Sequence, residues 1–472
     1  MRIRHQPGVE PLLEVLDEEA ARLGTRALVV GGYVRDRILG RDCTDLDVVV
    51  QDNLGLELAS AVARRLSDRD PVLFERFGTA QVTAGDFLVE FVSARNESYL
   101  PTSRRPTVRP GTLEEDVWRR DFTCNTLLAT SDGEVIDATE MGLRDIEARL
   151  LRTPFPASTT FYEDPLRAVR AIRFAVTLGF EMHRDLMPAI VANRERLRTV
   201  VSVERVAAEV RKMILSPRPG EAIRLLHQAG VLGDLLPEVA AMDGVEQTGF
   251  HSWDVLEHTL RALDMAAGRE QPALEPGLEL ALRLAVLFHD VGKPVTALRD
   301  GERVTFIGHP EAGADIAQQL MRRLRFSNDE VDRVASLVRL HMRPIQYLPE
   351  WSDGAVRRLV RDADDLLPAM VELARVDMAA SSYPADEAAL KLGDLRRRVS
   401  ALDAEAVRDL RPALDGHALM ERLGRPPGPW LGRIKQALLE AALDGEIPAD
   451  ASPIQAWAWL AEHPGVIDGE NS

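Results

Sequence analysis

Asp45 and Asp47 stand two residues apart in the run Asp45-Leu-Asp-Val-Val-Val50. In an extended strand such residues project from one face. Two carboxylates so placed can hold a pair of Mg2+ ions, which take hard oxygen ligands and bridge phosphates. Upstream lies the pair Gly31-Gly32, with Arg35 one helical turn beyond it. Glycines at a strand-to-helix turn let backbone approach a triphosphate. Glu90, in Phe87-Leu-Val-Glu-Phe91, is a candidate third carboxylate. From the residues alone it is equally a half-exposed strand residue.

A second group of chemistry-bearing residues opens at Asp164-Pro165. Its plain reading is an N-cap followed by proline at the first helical position. Arg167, Arg170 and Arg173 then recur every three residues, so successive guanidiniums rotate by about 60° around the helix. Asp164 and Arg167 lie nearly in line, whereas Arg170 and Arg173 spiral toward a neighbouring surface, where they can meet phosphates. Cytosine and adenine both present an amino donor beside a ring-nitrogen acceptor. An aspartate that accepts and an arginine that donates complement both, while uracil and guanine show the reverse order.

A third group is built from histidine. His289-Asp290 ends the apolar run Leu282–Phe288, and Gly292-Lys-Pro294 stops it. His258 precedes it, and His309, His341 and Asp377 follow at helix-scale intervals. A lone His-Asp pair is usually surface or capping chemistry, but mixed imidazole and carboxylate ligands recurring on helices suit a divalent transition metal or Mg2+. His251 is read as structural.

The elements that must position these groups follow from the pattern. Strand, glycine turn, short helix and strand account for residues 26–50, with further strand-like runs at Ala80–Thr83, Phe87–Val92 and Phe122–Ala129. They predict a mixed α/β head whose sheet has about five strands, ending near residue 150. Helical periodicity dominates from about residue 160. Half of the ten histidines fall within 251–341, marking a separate all-helical domain. Ser381–Ser400 reads as a connector, and the remainder as helices broken at Gly424-Arg-Pro-Pro-Gly-Pro429. Thr112 and Glu115 form a capping box after a proline-rich basic stretch with Arg104, Arg105 and Arg109.

At 472 residues the chain is too long for one core. Its net charge of −17 argues against a basic nucleic-acid coat but leaves room for a local arginine stripe in a cleft. The two cysteines, Cys43 and Cys124, are too few for a disulfide framework. No apolar run approaches the ~20 residues of a membrane span, and the N-terminus lacks a signal-peptide core, so a cytoplasmic protein without membrane partners is expected.

The motifs resemble a known family. Gly31-Gly-Tyr-Val-Arg-Asp36 followed by Asp45-Leu-Asp47 is similar to the head of class II CCA-adding enzymes and bacterial poly(A) polymerases. Arg119-Arg-Asp-Phe-Thr-Cys-Asn125 resembles their second signature. Glu163-Asp-Pro-Leu-Arg167, continuing to Phe174, resembles their nucleotide-selecting helix, and Val203-Glu-Arg-Val206 with Glu209 and Lys212 the motif after it. The resemblance spans roughly residues 25–240 and implies metal binding by Asp45 and Asp47, with Glu90 as the third acid. It places Gly32 and Arg35 at the triphosphate, and Arg120, Asp121 and Asn125 at phosphate and ribose. The sequence departs from the family at Asn125-Thr126 and in Asp137–Gly142, which has one of the usual two glycines.

Residues 251–380 resemble the HD phosphohydrolases. His258, His289, Asp290 and Asp377 match the core ligands, and His309 and His341 the additional ligands of binuclear members. The proline-rich stretch resembles the loop with which family members switch from C to A addition, and Asp415–Gly432 a tail that grips the tRNA elbow. The expected organisation is a head at 1–150, helical neck and body at 151–250, an HD domain at 251–385 and a helical tail at 386–472. The expected partners are tRNA, CTP and ATP. The expected activity is CCA addition to tRNA by two-metal attack of the RNA 3′-hydroxyl on the α-phosphate, with an accessory phosphohydrolase. Rival readings are an A-only adding enzyme, a poly(A) polymerase, and an HD phosphohydrolase whose head only holds RNA.

Overall fold

The computed structural model describes residues 1–67, 69–75, 78–98, 107–249, 252–269, 274–301, 303–402 and 404–468. His251 and most of the proline-rich stretch lie outside them. The chain divides into two compact units, Met1–Leu235 and Leu236–Ser472.

In the first unit the strands are β1 (Ala27–Val30), β2 (Asp45–Val50), β3 (Val72–Phe74), β4 (Thr79–Ala84), β5 (Phe87–Ser93), β6 (Arg95–Ser98), β7 (Thr107–Pro110), β8 (Leu128–Ala129) and β9 (Val135–Ile136), with a small separate pair, Leu150–Leu151 and Glu181–Met182, further on. Seven of them form one sheet in the order β3-β4-β5-β2-β1-β8-β9, two more than the sequence pattern predicts; β6 and β7 pair separately. The excess arises at the edges, where β3 and β9 are too short to show alternation. The sheet is mixed: β2 and β5 are parallel, and the other pairs are antiparallel.

Helices α1 (Glu10–Leu23) and α3 (Gly55–Leu66) cover one face of the sheet, while α2 (Gly32–Ile38) begins at the glycine turn after β1. On the other face α4 (Leu113–Trp118) places Val117 against Val30, Val49 and Leu128. The capping box of Thr112 and Glu115 starts α4. Phe122–Ala129 is not a continuous strand: Thr123–Asn125 winds into a 3-10 turn before β8. Thr123 Oγ1 donates to the buried Asp145 carboxylate, and this side-chain bond holds the turn. Seven more helices complete the unit: α5 (Gly142–Glu147), α6 (Ala157–Glu163), α7 (Leu166–Leu178), α8 (Leu186–Val200) and α9 (Val203–Ile214), then Pro219–Gln228 and Val231–Leu235.

The second unit is mostly helical. Helices Val255–Ala267, Pro276–Phe288, His309–Arg323, Asn328–Leu340 and Leu367–Ala380 pack on one another. The predicted all-helical stretch also contains a hairpin, Leu298–Asp300 with Arg303–Thr305. The predicted connector is largely a helix, Ala385–Ser400. Only Leu392 and Leu395 are buried on it, too thin a stripe for a sequence pattern to reveal, and Tyr347 anchors it by donating to Asp394. The terminal helices enclose their own core around Leu419, Ile434, Leu438 and Leu460. Among the described residues no helix is long and apolar enough to cross a membrane.

Candidate functional site

The head site starts at the junction of β1 and β2. Val30 pairs with Asp47, so the turn that follows β1 lies beside that carboxylate. Gly31 holds φ at +75°, and a Cβ there would stand 3.1 Å from Arg120 Nη1 and 3.4 Å from Asp47 Oδ2. Only glycine satisfies both the angle and the space. Asp47 pairs in turn with Glu90 across the parallel ladder, and Asp45 with Leu88. Directly paired residues share a face, so the three acids project together.

Asp45 is exposed, while Asp47 and Glu90 are half-buried. Burial raises the Asp47 carboxyl above its ordinary value against the pull of Arg120. Burial also raises Glu90, and the Asp47 charge adds to the effect. Such an acid pair favours a cation beside it. Only oxygen donors are offered, which suits a hard ion such as Mg2+.

The acids form part of a cleft of about 290 Å3 lined by Asp47, Thr79, Glu90, Val92, Arg95, Arg119, Arg120, Asp121, Asp164, Arg167, Arg170 and Arg205. Four of these arginines are held in place. Arg119 and Arg120 both donate to Asp116, a fully buried carboxylate held below its ordinary value because the two guanidiniums outweigh its burial. Arg170 donates to Asp121 and Glu209. Burial alone would raise the Asp121 carboxyl, but Arg170 and the Asn125 amide hold it well below the carboxylate range. Arg167 donates to the Arg119 carbonyl at 2.6 Å.

Asp164 has two partners. One oxygen accepts from the Leu166 amide at 3.2 Å, at the start of α7, and the other from Arg205 at 2.7 Å; Pro165, and not Asp164 as the sequence pattern suggests, is the residue that precedes the helix. Carboxylate oxygens carry about four acceptor sites in all, so both bonds leave room for a base. Arg173 does not line the cleft. It donates to Glu209 at 2.6 Å and lies 4.0 Å over the Phe174 ring, buried as a support for α7. Arg35 is likewise buried, donating to Asn125 Oδ1 at 2.6 Å and to Asp36. Gly32 starts α2 next to it. Sequence reasoning missed Arg205, Asp116, Arg95 and the cleft-facing role of Arg119. The signal for Arg205 was present in Val203-Glu-Arg-Val206, on the helix that packs against α7.

The second unit gathers its histidines and aspartates into two groups. Ligand atoms of His258, His289 and Asp377 lie within 4.8 Å of one another, as do those of Asp290, His309 and His341. His258 Nε2 is 2.9 Å from Asp377, and His309 Nε2 is 3.6 Å from Asp290, which also lies 3.2 Å from His289 Nε2. His289, His309 and His341 each turn Nδ1 to the carbonyl three residues earlier, Val286, Phe306 and Val338, at 2.8, 2.8 and 2.6 Å. In His309 and His341, which burial keeps neutral, that bond assigns the Nδ1–H tautomer and leaves Nε2 as the acceptor facing the cluster. His289 Nε2 is buried and makes no hydrogen bond. Burial disfavours a charged His289, yet Asp290 and Asp377 outweigh it and lift the imidazole to about 9. Gly292 makes the cluster possible, because a Cβ there would meet the His309 carbonyl at 2.3 Å. Among the described residues only these two groups close so tightly. The head acids form a more open set.

Comparisons with known proteins agree with this layout. The Poly A polymerase head domain family matches residues 27–152, the family described as "Probable RNA and SrmB- binding site of polymerase A" residues 179–242, and the HD domain family residues 250–369. A CC-adding tRNA nucleotidyltransferase of Thermus thermophilus is 37% identical over 89% of this chain and 90% of its own. An A-adding tRNA nucleotidyltransferase of Deinococcus radiodurans is 34% identical over 93% and 96%. The crystal structure of the Bacillus stearothermophilus CCA-adding enzyme in complex with CTP superposes with a TM-score of 0.68 at 24% identity, covering 98% of this chain and 99% of that one, which establishes the shared fold.

Proposed function

The chain belongs to the class II CCA-adding tRNA nucleotidyltransferase family, with an HD domain fused behind the head, and we propose that it adds or repairs the 3′-terminal CCA of tRNA from CTP and ATP. The observation that carries this reading is the cleft in which Asp47 and Glu90 stand in register on one wall while Asp164, Arg167 and Arg205 converge from α7 and α9. An RNA holder without chemistry would have no use for acids facing acids.

In this reading Asp45, Asp47 and Glu90 hold Mg2+, and the raised carboxyls of Asp47 and Glu90 support the fit. Bound there, Mg2+ supplies charge neutralisation at the phosphates and lowers the pKa of an attacking hydroxyl. The chain's own residues do the rest. The Gly31-Gly32 turn admits the triphosphate against backbone, and Arg120, oriented by Asp116, meets its negative charge. Asp121 and Asn125 hold Arg170 and Arg35 in place beside it. Asp164 accepts from the amino group of cytosine or adenine and Arg167 donates to the ring nitrogen, while Arg205 fixes the Asp164 carboxylate. The 3′-hydroxyl oxygen of the RNA attacks the α-phosphorus and its proton passes to solvent; as the new P–O bond forms, the bond from the α-phosphorus to the bridging oxygen breaks and pyrophosphate leaves with the bonding pair.

The HD groups fit divalent metals by their donor set of buried imidazoles and carboxylates, with the Nε2 of His289 turned to Asp290 inside the cluster. There a bound metal would activate water toward a phosphoester. Lys293, donating to Asp290 and Gln247, is placed to neutralise a phosphate.

A second reading has a specific observation in its favour. Two relatives, at 34% and 37% identity, are named A-adding and CC-adding, so a partial adder is the alternative. Incubation with tRNAs ending before CCA, after C and after CC, each with labelled CTP or ATP, decides. Extension of all three substrates to CCA supports the main reading. Extension only to CC, or only from CC, establishes a partial adder, and no incorporation overturns both.

A further inference from the structure

The sheet face that carries the acids continues past them. A row of direct cross-strand partners runs Asp47, Glu90, Gln81, Val72 over β2, β5, β4 and β3. The row beside it runs Val92, Thr79, Phe74, and Leu88 stands next to Asp45. Paired residues share a face, so Val72, Phe74 and Leu88 lie on the face of the acids. They are 54%, 41% and 42% exposed. Thr79, Glu90 and Val92, on the near side of this apolar patch, already line the cleft. Edge strands are normally blunted with charge, because an open apolar edge invites unwanted pairing. A Val-Leu-Phe edge left to solvent marks a contact surface.

The reaction indicates what that surface meets, and the argument rests on the nucleotidyl-transfer reading. The triphosphate enters at the Gly31-Gly32 turn, on the β1 side of β2, and its base turns to Asp164 and Arg167. In-line displacement sets the attacking oxygen opposite the leaving pyrophosphate. The RNA 3′ end therefore arrives from the β5 side of β2, across β5, β4 and β3. We propose that Val72 and Phe74, adjacent on the open face of β3, form an apolar platform for the unpaired bases at the 3′ end of the acceptor strand, with the Phe74 ring stacked on one of them. Strands lie about 4.8 Å apart, so Phe74 stands about 10 Å from the row end at Val92, a distance of one to two nucleotides. Stacking on a single ring tolerates any base. That suits a strand whose terminal base changes with every addition.

The test uses the full-length protein and its Phe74→Ala and Phe74→Trp variants. Two quantities are measured: KM for a tRNA lacking CCA, separately from KM for CTP, and the fluorescence of 2-aminopurine at the RNA 3′ terminus on binding. The platform predicts that Phe74→Ala raises the tRNA KM about tenfold with CTP KM and melting temperature unchanged, that Phe74→Trp restores it, and that quenching of the probe is lost only in the alanine variant. An unchanged tRNA KM with intact quenching overturns the proposal. So does a variant whose only effect is a change in sedimentation of the free protein, which would assign the face to a second copy of the chain. If the native protein adds no nucleotide, the functional reading fails, while probe quenching, which needs no turnover, still decides on the platform.

Discussion

Asp47 on β2 and Glu90 on β5 stand directly opposite each other in a parallel register. Two acids separated in sequence by α3 and two strands thus share one wall of the cleft, and burial raises both carboxyls, with the Asp45 charge adding at Asp47 and the Asp47 charge at Glu90. Nothing in packing calls for that arrangement, so it is informative about chemistry.

Asp47→Ala, and separately Asp45→Ala, is expected to reduce nucleotide addition by at least about a thousandfold, a loss of about 4 kcal/mol of transition-state stabilisation. Steady-state addition of CMP to a truncated tRNA measures it. Near-normal addition by both folded variants would remove the metal assignment.

Arg205→Ala is expected to narrow the preference for CTP over UTP, because the Asp164 carboxylate loses the 2.7 Å bond that orients it. Asp164→Ala and Arg167→Ala should narrow it by about 1–3 kcal/mol each, the worth of one paired base contact. Competition between labelled CTP and UTP reads the ratio. Full selectivity in Asp164→Ala would reduce Asp164 to a support for the start of α7.

His289→Ala combined with Asp290→Ala is expected to abolish divalent-metal binding by the HD groups, together with any 2′,3′-cyclic phosphodiesterase or phosphatase activity, and to leave nucleotide addition intact. Metal content by elemental analysis accompanies the two assays. Loss of addition in a folded double variant would show that the two chemistries are coupled.

Asp121→Asn is expected to destabilise the first unit at pH 7 by about 2 kcal/mol, since it leaves the half-buried Arg170 with Glu209 as its remaining carboxylate partner. The Asp121 carboxyl is depressed in the folded state. Its contribution is therefore fully present above the unfolded value of about 3.9 and lost as pH falls toward the lower folded value. Denaturant unfolding of both proteins should show the gap closing as pH drops below about 4. A gap independent of pH would point to lost packing.

Cys124 is buried and its thiol is pushed up to about 12, while half-buried Cys43 is raised less far. At pH 8 a thiol reagent should label Cys43 slowly and Cys124 only after denaturation. Rapid labelling of Cys124 in the native protein would contradict the packing around the 3-10 turn.

Local chemistry made much of this protein legible. Asp45-Leu-Asp47 after a glycine pair, the histidines spaced on helices and the Thr112–Glu115 capping box are all short-range patterns, and the structure places each as its period demands. The Ala385–Ser400 helix escaped because two buried leucines make too weak a stripe, and β3 and β9 because two or three residues show no alternation.

What the sequence determined by itself is which residues are able to hold metals, cap helices and pair with a base edge, because these depend on side-chain type and on spacing within one element. Tertiary structure decided which of them meet. The register of β5 against β2 sets Glu90 beside Asp47, the packing of α9 on α7 brings Arg205 to Asp164, and Glu209 withdraws Arg173 from the cleft into a buried pair. Register and helix packing arise from contacts between distant segments, and a strand slipped by one residue would keep the same local pattern while sending Glu90 to the opposite face.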